Sequence, residues 1–252
     1  MKKTTILILS LLLSLQLTAC SNTNNDVQKP YRFGNIISYN ANQTALEYLK
    51  STDKVEVEDS KYIVFTPKEN IKETGFIFYP GGLVEAESYA PIMNKIAQQG
   101  YQVIIVPMPI NLAVLNSDKA KNVIKEYPNI NNWIIGGHSL GGVMACKYAA
   151  KHDNIKGIVL YASYPEDDQL KNTDVKVLSL WGSEDKIASI DKILDGKNKL
   201  NSSAEFIEIE GGNHGHFGDY GEQKGDGQST ITFKKQWDEA AKYTTDFLGT
   251  FN

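Results

Sequence analysis

The sequence predicts an α/β fold: one mostly parallel, twisted sheet with helices on both faces. Three observations predict it. Short runs rich in β-branched and aromatic residues recur along the chain, and most are continuously apolar, as strands buried on both faces must be. Helix-like segments fall between these runs, and strands alternating with helices imply parallel strands joined by crossovers. One run, Trp133-Ile134-Ile135, ends in Gly136-Gly137-His138-Ser139-Leu140-Gly141-Gly142 and leads into a helix-like segment at 143–150, which makes a strand, a very tight turn and a helix.

Size and charge bound the rest. The 252 residues, 41% hydrophobic and 10% aromatic, are enough for the core of one large domain. A net charge of −4 without a long basic run excludes a nucleic-acid partner, which would need clustered Lys and Arg. The N-terminus stands apart from the fold. Met1-Lys2-Lys3 is basic, 6–15 is an apolar run broken only by Ser10 and Ser14, and Leu17-Thr18-Ala19-Cys20 follows. This is the pattern of a secretory signal, too short for a spanning helix of roughly 20 residues. Its ending resembles a bacterial lipobox, which implies cleavage before Cys20 and lipidation, with palmitate or similar chains, at that residue. The expected organisation is a signal peptide over 1–19, a flexible polar tether over 20–30 and a folded domain over 31–252. The expected place is the bacterial cell envelope, on the extracytoplasmic side, with the membrane as a partner through the lipid on Cys20. Losing Lys2 and Lys3 makes the chain two charges more negative, so an anchor rather than a basic face would hold it. The only other cysteine, Cys146, is then left without a partner and reads as a small packing residue.

Taken in order, 31–44 has no clear pattern and 45–50 has the composition of a short helix. Val55-Glu56-Val57-Glu58 alternates like a half-exposed strand, and 62–66 follows it, ended by Pro67. The two read as an antiparallel pair at a sheet edge. Buried strands are expected at 75–79, 103–106, 133–135, 157–161 and 175–180, and an alternating strand near an edge at 204–210. Helices are expected at 87–99 (Pro91 near its start and Gly100 as its cap), at 112–127 between Asn111 and Pro128, at 140–152, at 187–200 with Gly196 a point where it can break, and at 233–248.

In an open parallel sheet, ligands bind beyond the carboxyl ends of the strands. Gly137-His138-Ser139-Leu140-Gly141 fits G-x-S-x-G, a turn that pushes the Ser139 hydroxyl out at the top of a sheet. After strand 75–79 comes Pro80-Gly81-Gly82-Leu83, where free amides could face an oxyanion. The donors would be Leu140, directly after the serine, and either Gly82 or Leu83, with Leu83 favoured. After strand 175–180 comes Trp181-Gly182-Ser183-Glu184-Asp185. Of its two acids, Asp185 is placed to reach back towards a histidine, and Glu184 to face solvent. After the last strand comes Gly211-Gly212-Asn213-His214-Gly215-His216. Of the four histidines, His152 suits a helix end, and His138 packs inside the serine turn. That leaves His214 as the base and His216 at the pocket wall, with Gly82, His138 and Tyr220 also lining the pocket. A metal set of His214, His216, Asp219 and Asp226 is the competing idea, but its spacing matches no zinc pattern, and no metal or cofactor is expected.

The candidates fall in the order Ser139, Asp185, His214. On these residues, the chain from about 75 to 248 resembles the α/β-hydrolase superfamily. The segments Gly211-Gly212-Asn213-His214, Phe217-Gly218-Asp219-Tyr220-Gly221 and Lys224-Gly225-Asp226-Gly227 resemble its small lidless alpha/beta-hydrolase-5 branch, from which His216 departs. The resemblance implies an α/β-hydrolase fold and a serine hydrolase acting through a Ser-His-Asp triad and an acyl-enzyme, with a small-molecule ester as substrate. A short polar link at 162–174 stands where many relatives insert a lid, so an open site without a lid domain is expected. The alternatives are a non-catalytic binding lipoprotein on the same fold, or a hydrolase of amides, thioesters or acetylated carbohydrates.

Overall fold

The computed structural model describes residues 31–33 and 36–252; the expected signal peptide, tether and Cys20 lie outside them. Eight strands form one sheet in the order β10-β9-β8-β7-β5-β6-β4-β3. The parallel part is β5 (Thr74–Tyr79), β6 (Gln102–Ile105), β7 (Asn132–His138), β8 (Ile155–Tyr161), β9 (Lys176–Gly182) and β10 (Glu205–Ile209). The expected edge pair is present: β3 (Val55–Asp59) runs antiparallel to β4 (Ile63–Pro67), which joins the sheet antiparallel to β6. The fold is the α/β-hydrolase fold, with strands and helices alternating from β5 onward.

Alternation along the strands sets up two cores. In β5, Phe76 and Phe78 enter one apolar cluster and Ile77 and Tyr79 the other. Helices α2 (Ala90–Ala97), α5 (Ile190–Lys199) and α6 (Phe233–Gly249) cover the first face, and α3 (Ala120–Glu126) and α4 (Leu140–Ala149) the second. A short helix, α1 (Gln43–Glu47), precedes the sheet, and an antiparallel pair of strands, β1 (Tyr31–Phe33) with β2 (Ile36–Ser38), falls in the stretch without a readable pattern. The chain then bridges onto the loop after β5: the Tyr39 amide donates to the Leu83 carbonyl at 2.7 Å, and the Glu85 amide to the Tyr39 carbonyl at 2.9 Å.

Two helical expectations need correction. The segment 112–127 is not one helix. It contains 3-10 turns at Ala113–Leu115 and Ser117–Lys119, and only Ala120–Glu126 is α-helical. Asn116, Ser117 and Asp118 favour turns over helix interiors, and the buried Tyr79 hydroxyl donates to the Ser117 carbonyl and accepts the Ala120 amide, so the helix starts there. Conversely, α5 runs unbroken through Gly196, where a Cβ would meet only Pro165 and Phe206 at ordinary contact distance. Between β8 and β9 no helix or strand is inserted, so nothing in that link forms a lid domain. Among the described residues no helix is long and apolar enough to cross a membrane. Cys146 is buried in α4, where burial pushes its thiol up to about 12.

Candidate active site

Ser139 sits between β7 and α4 at φ 51°, ψ −121°, a conformation that costs a side-chain-bearing residue about 1–3 kcal/mol. Packing enforces it. A Cβ on Gly137 would come 2.5 Å from the Gly141 carbonyl carbon, and one on Gly141 2.2 Å from the Tyr79 carbonyl oxygen. Only glycine lets strand, turn and helix approach so closely. The Ser139 amide donates to the Tyr161 carbonyl at 2.9 Å, and its carbonyl accepts the Ser163 hydroxyl at 2.7 Å. The turn is therefore pinned to the neighbouring strand end, and its side chain is half-buried at the sheet's carboxyl edge.

Asp185 and His214 follow β9 and β10. Their side chains are almost completely buried, and Asp185 Oδ2 lies 2.9 Å from His214 Nδ1. The other carboxylate oxygen accepts the Ile187 and Ala188 amides, both at 2.8 Å, so its lone pairs are fixed and the acid cannot swing away. With Nδ1 engaged, His214 has Nε2 left for proton transfer. Ser139 Oγ makes no hydrogen bond with the ring in this structure. The histidine nevertheless stands against the serine turn, since its ring centroid is 4.4 Å from that of His138, the residue before Ser139. Glu184 is half-buried and its carboxylate does not reach His214; its amide donates to the Gly212 carbonyl at 2.8 Å.

The donor loop requires a correction. The Leu83 amide is spent on the Asn111 carbonyl at 2.7 Å, so it is not free to face an oxyanion. The amides of Gly82 and Leu140 have no protein acceptor among the described residues, and a Cβ on Gly82 would lie 3.1 Å from Leu140 Cδ2. These two are the amides available beside Ser139.

Three of the four residues expected to line a pocket are inside the protein, and only Gly82 keeps appreciable surface. His138 is enclosed by Tyr89, His214 and Phe217. Burial, with the neighbouring His214 ring, holds its pKa well below the ordinary histidine range. His216 stacks on Phe233 at 3.5 Å, with Nε2 3.2 Å from Glu222, and burial lowers its pKa too. Tyr220 packs against Tyr39 and donates its hydroxyl to Gln223 at 2.9 Å. The residues of the metal alternative are committed elsewhere: Asp219 Oδ1 accepts Asn42 Nδ2, and the Asp226 carboxylate accepts the amides of Lys186, Gly215 and Gly227. Among the described residues no group of three His, Cys, Asp or Glu side chains is arranged to hold a metal. A recess of about 410 Å³ between α2 and α6 is remote from the serine turn, and its charges pair among themselves, Lys95 with Asp238 and Lys242 with Asp246.

Two further residues hold the histidine loop in place. Asp226 ties the histidine loop to the aspartate loop through the amides just named. Gln236, fully buried in α6, accepts the Asn213 amide at 3.0 Å and donates to the Asn213 carbonyl at 2.8 Å, which pins the residue before His214. The one available signal was a glutamine on the apolar face of α6, since a buried amide must find partners.

A model of the Alpha/beta hydrolase family matches residues 75–238. No curated protein matches the chain by sequence. Among solved structures, the chain is similar to the esterase domain of a Rhodothermus marinus protein, at 12% identity and a TM-score of 0.56, over 75% of this chain and 90% of that one. It is also similar to a predicted CIB-like hydrolase from Thermoplasma acidophilum, at 18% identity and a TM-score of 0.53, over 77% of this chain and 96% of that one. At these identities the structural likeness is one of fold. The family match spans most of the chain and includes the strained serine turn, Asp185 and His214, and on that match this chain belongs to the Alpha/beta hydrolase family.

Proposed function

We propose that the protein is a serine hydrolase that cleaves carboxylic esters through Ser139, His214 and Asp185. The observation that carries this reading is the buried 2.9 Å contact of His214 Nδ1 with Asp185 Oδ2, set beside a strained serine turn at the carboxyl edge of the same sheet. Asp185 holds the imidazole in the tautomer with Nδ1–H, so that Nε2 is the basic nitrogen. That nitrogen takes the Ser139 proton as Oγ bonds to the ester carbonyl carbon. The amides of Gly82 and Leu140 donate to the oxygen that becomes negative. The carbon–oxygen bond to the alcohol then breaks as His214 returns the proton to the leaving oxygen, and water releases the acyl group from Ser139 by the same steps. With no lid between β8 and β9, the reading is of an open site that takes small or medium esters in solution.

The test is hydrolysis of p-nitrophenyl acetate by the full chain. Ser139→Ala should lower kcat by roughly 10⁴-fold or more, and unchanged turnover in that variant would refute the assignment. Anchoring at the envelope rests on Leu17-Thr18-Ala19-Cys20 alone. Cys20→Ser should abolish palmitate labelling and release the protein from membranes, and retention without label would contradict it.

A further inference from the structure

Four large apolar side chains stand out as exposed among the described residues, and two of them, Ile110 at 74% and Leu115 at 56%, lie in the loop after β6. Ile110 has φ 45° and ψ 36° and Asn111 has φ 55°. The left-handed region suits asparagine but penalises a β-branched side chain. Isoleucine at 110 thus carries a backbone strain that Asn or Gly would relieve, and an apolar exposure that burial would relieve. Neither is repaired within the fold. Backbone strain that the surrounding structure holds in place clusters at functional sites, and this loop is held. The Asn111 carbonyl takes the Leu83 amide at 2.7 Å, and Leu83 is itself left-handed at φ 63°, so the loop is bolted to the segment that presents Gly82.

The loop meets the serine turn through its apolar side chains. Leu112 Cδ2 and Leu140 Cδ2 lie 3.8 and 3.1 Å from the point where a Gly82 Cβ would stand, so the two leucines flank that glycine. The 3-10 turn Ala113–Leu115 packs on α4, the helix that follows Ser139. Leu83, Leu112, Val114 and Leu140 are each half-buried and still offer surface. The result is an apolar apron that begins beside Gly82, on the oxyanion side of the site.

We infer that residues 110–115, with Leu140, form the subsite for the apolar chain of the ester, so that the substrate class is esters with a hydrocarbon chain of several carbons rather than acetylated sugars. This rests on the serine-hydrolase reading above. A flexible chain extending from a carbonyl held at Gly82 and Leu140 meets Leu112 first and Ile110 or Leu115 beyond it, and removing such surface from water favours binding.

The test compares p-nitrophenyl acetate, butyrate and octanoate on the full chain and on Ile110→Asn and Leu115→Ser. Asparagine tolerates the left-handed backbone, so Ile110→Asn removes apolar surface without endangering folding. The expected result is a kcat/KM for octanoate lower by about fivefold to tenfold in each variant, with acetate within about twofold. Equal effects on all three esters, or none, would overturn the subsite while leaving the serine-hydrolase reading intact. Unchanged ester kinetics together with weaker binding to phosphatidylcholine vesicles would assign the apron to a lipid surface and overturn it as well. If the unsubstituted chain cleaves none of the three, acetate included, the serine-hydrolase reading itself fails and the subsite fails with it.

Discussion

The hydroxyl of Tyr89 and Nδ1 of His138 lie 2.9 Å apart inside the protein, and the same hydroxyl accepts the Gly81 amide at 2.9 Å. The Tyr89 hydroxyl accepts the Gly81 amide and shares a second hydrogen bond with the His138 ring. One tyrosine therefore joins the donor loop to the end of the nucleophile strand. The fit is close, for a Cβ on Gly81 would lie 2.7 Å from both the Tyr89 hydroxyl and His138 Nδ1.

Tyr89→Phe keeps the ring, which packs 5.0 Å from Phe78, and removes the ties to both Gly81 and His138. If the Gly81 tie sets the Gly82 amide for the developing oxyanion, kcat should fall by about tenfold with KM nearly unchanged. Thr244→Val is the matched control. It removes another buried tyrosine bond, the 2.6 Å contact with Tyr161, at a residue outside the site, and should lower Tm without a comparable loss in kcat. Equal losses in kcat for the two would reduce Tyr89 to a stabilising role.

Stability should weaken in mild acid. Above about pH 6.5 a histidine is neutral in the unfolded chain, and His138, held well below its ordinary range by burial, is neutral in the folded protein as well, so it adds no pH dependence there. Below that pH only the unfolded chain takes the proton, and stability falls until the lowered folded pKa is reached. His216, lowered by burial against the opposing pull of Glu222, adds to the same slope. Tm should thus drop from about pH 7.5 to about pH 5.5, and less steeply in His138→Gln. An identical slope in that variant would remove His138 from the explanation.

The two neighbouring histidines should behave differently. His214→Ala should lower kcat almost as far as loss of Ser139. His216→Ala removes a ring stacked on Phe233 and should act mainly on Tm. A larger kcat loss for His216→Ala than for His214→Ala would transfer the base role to His216.

Gln236→Leu should test how the histidine loop is held. The leucine fills similar space but leaves the Asn213 amide and carbonyl without their partners, at about 1–3 kcal/mol for each buried group. A lower Tm with impaired kcat is expected, because Asn213 precedes His214. A normal kcat at a temperature where the variant is fully folded would limit Gln236 to stability.

Much of the fold was legible because buried parallel strands leave continuous apolar runs, and the runs at 75–79, 103–106, 133–135, 157–161 and 175–180 each fall within or alongside a strand. The strand pair β1–β2 and the broken segment 112–127 were not, since three-residue strands and 3-10 turns leave no periodicity. At the site, Asp185 and His214 were readable as strand-end residues on short glycine-containing turns. Which amide is free, that of Gly82 or of Leu83, was not legible, because it depends on Asn111, a turn residue 28 positions on from Leu83 whose carbonyl takes one amide and not the other. Tyr89 and Gln236 were silent for the same reason, and Asp226, though inside a segment that carries the resemblance, did not show its tie to the Lys186 amide: each acts through a partner distant in sequence.

The most direct test of the central claim is to treat the full chain with a fluorophosphonate and locate the adduct by peptide mass spectrometry. The account predicts a single adduct on Ser139, absent in Ser139→Ala and much slower to form in His214→Ala. An adduct on another residue, or none on an intact folded protein, would contradict it.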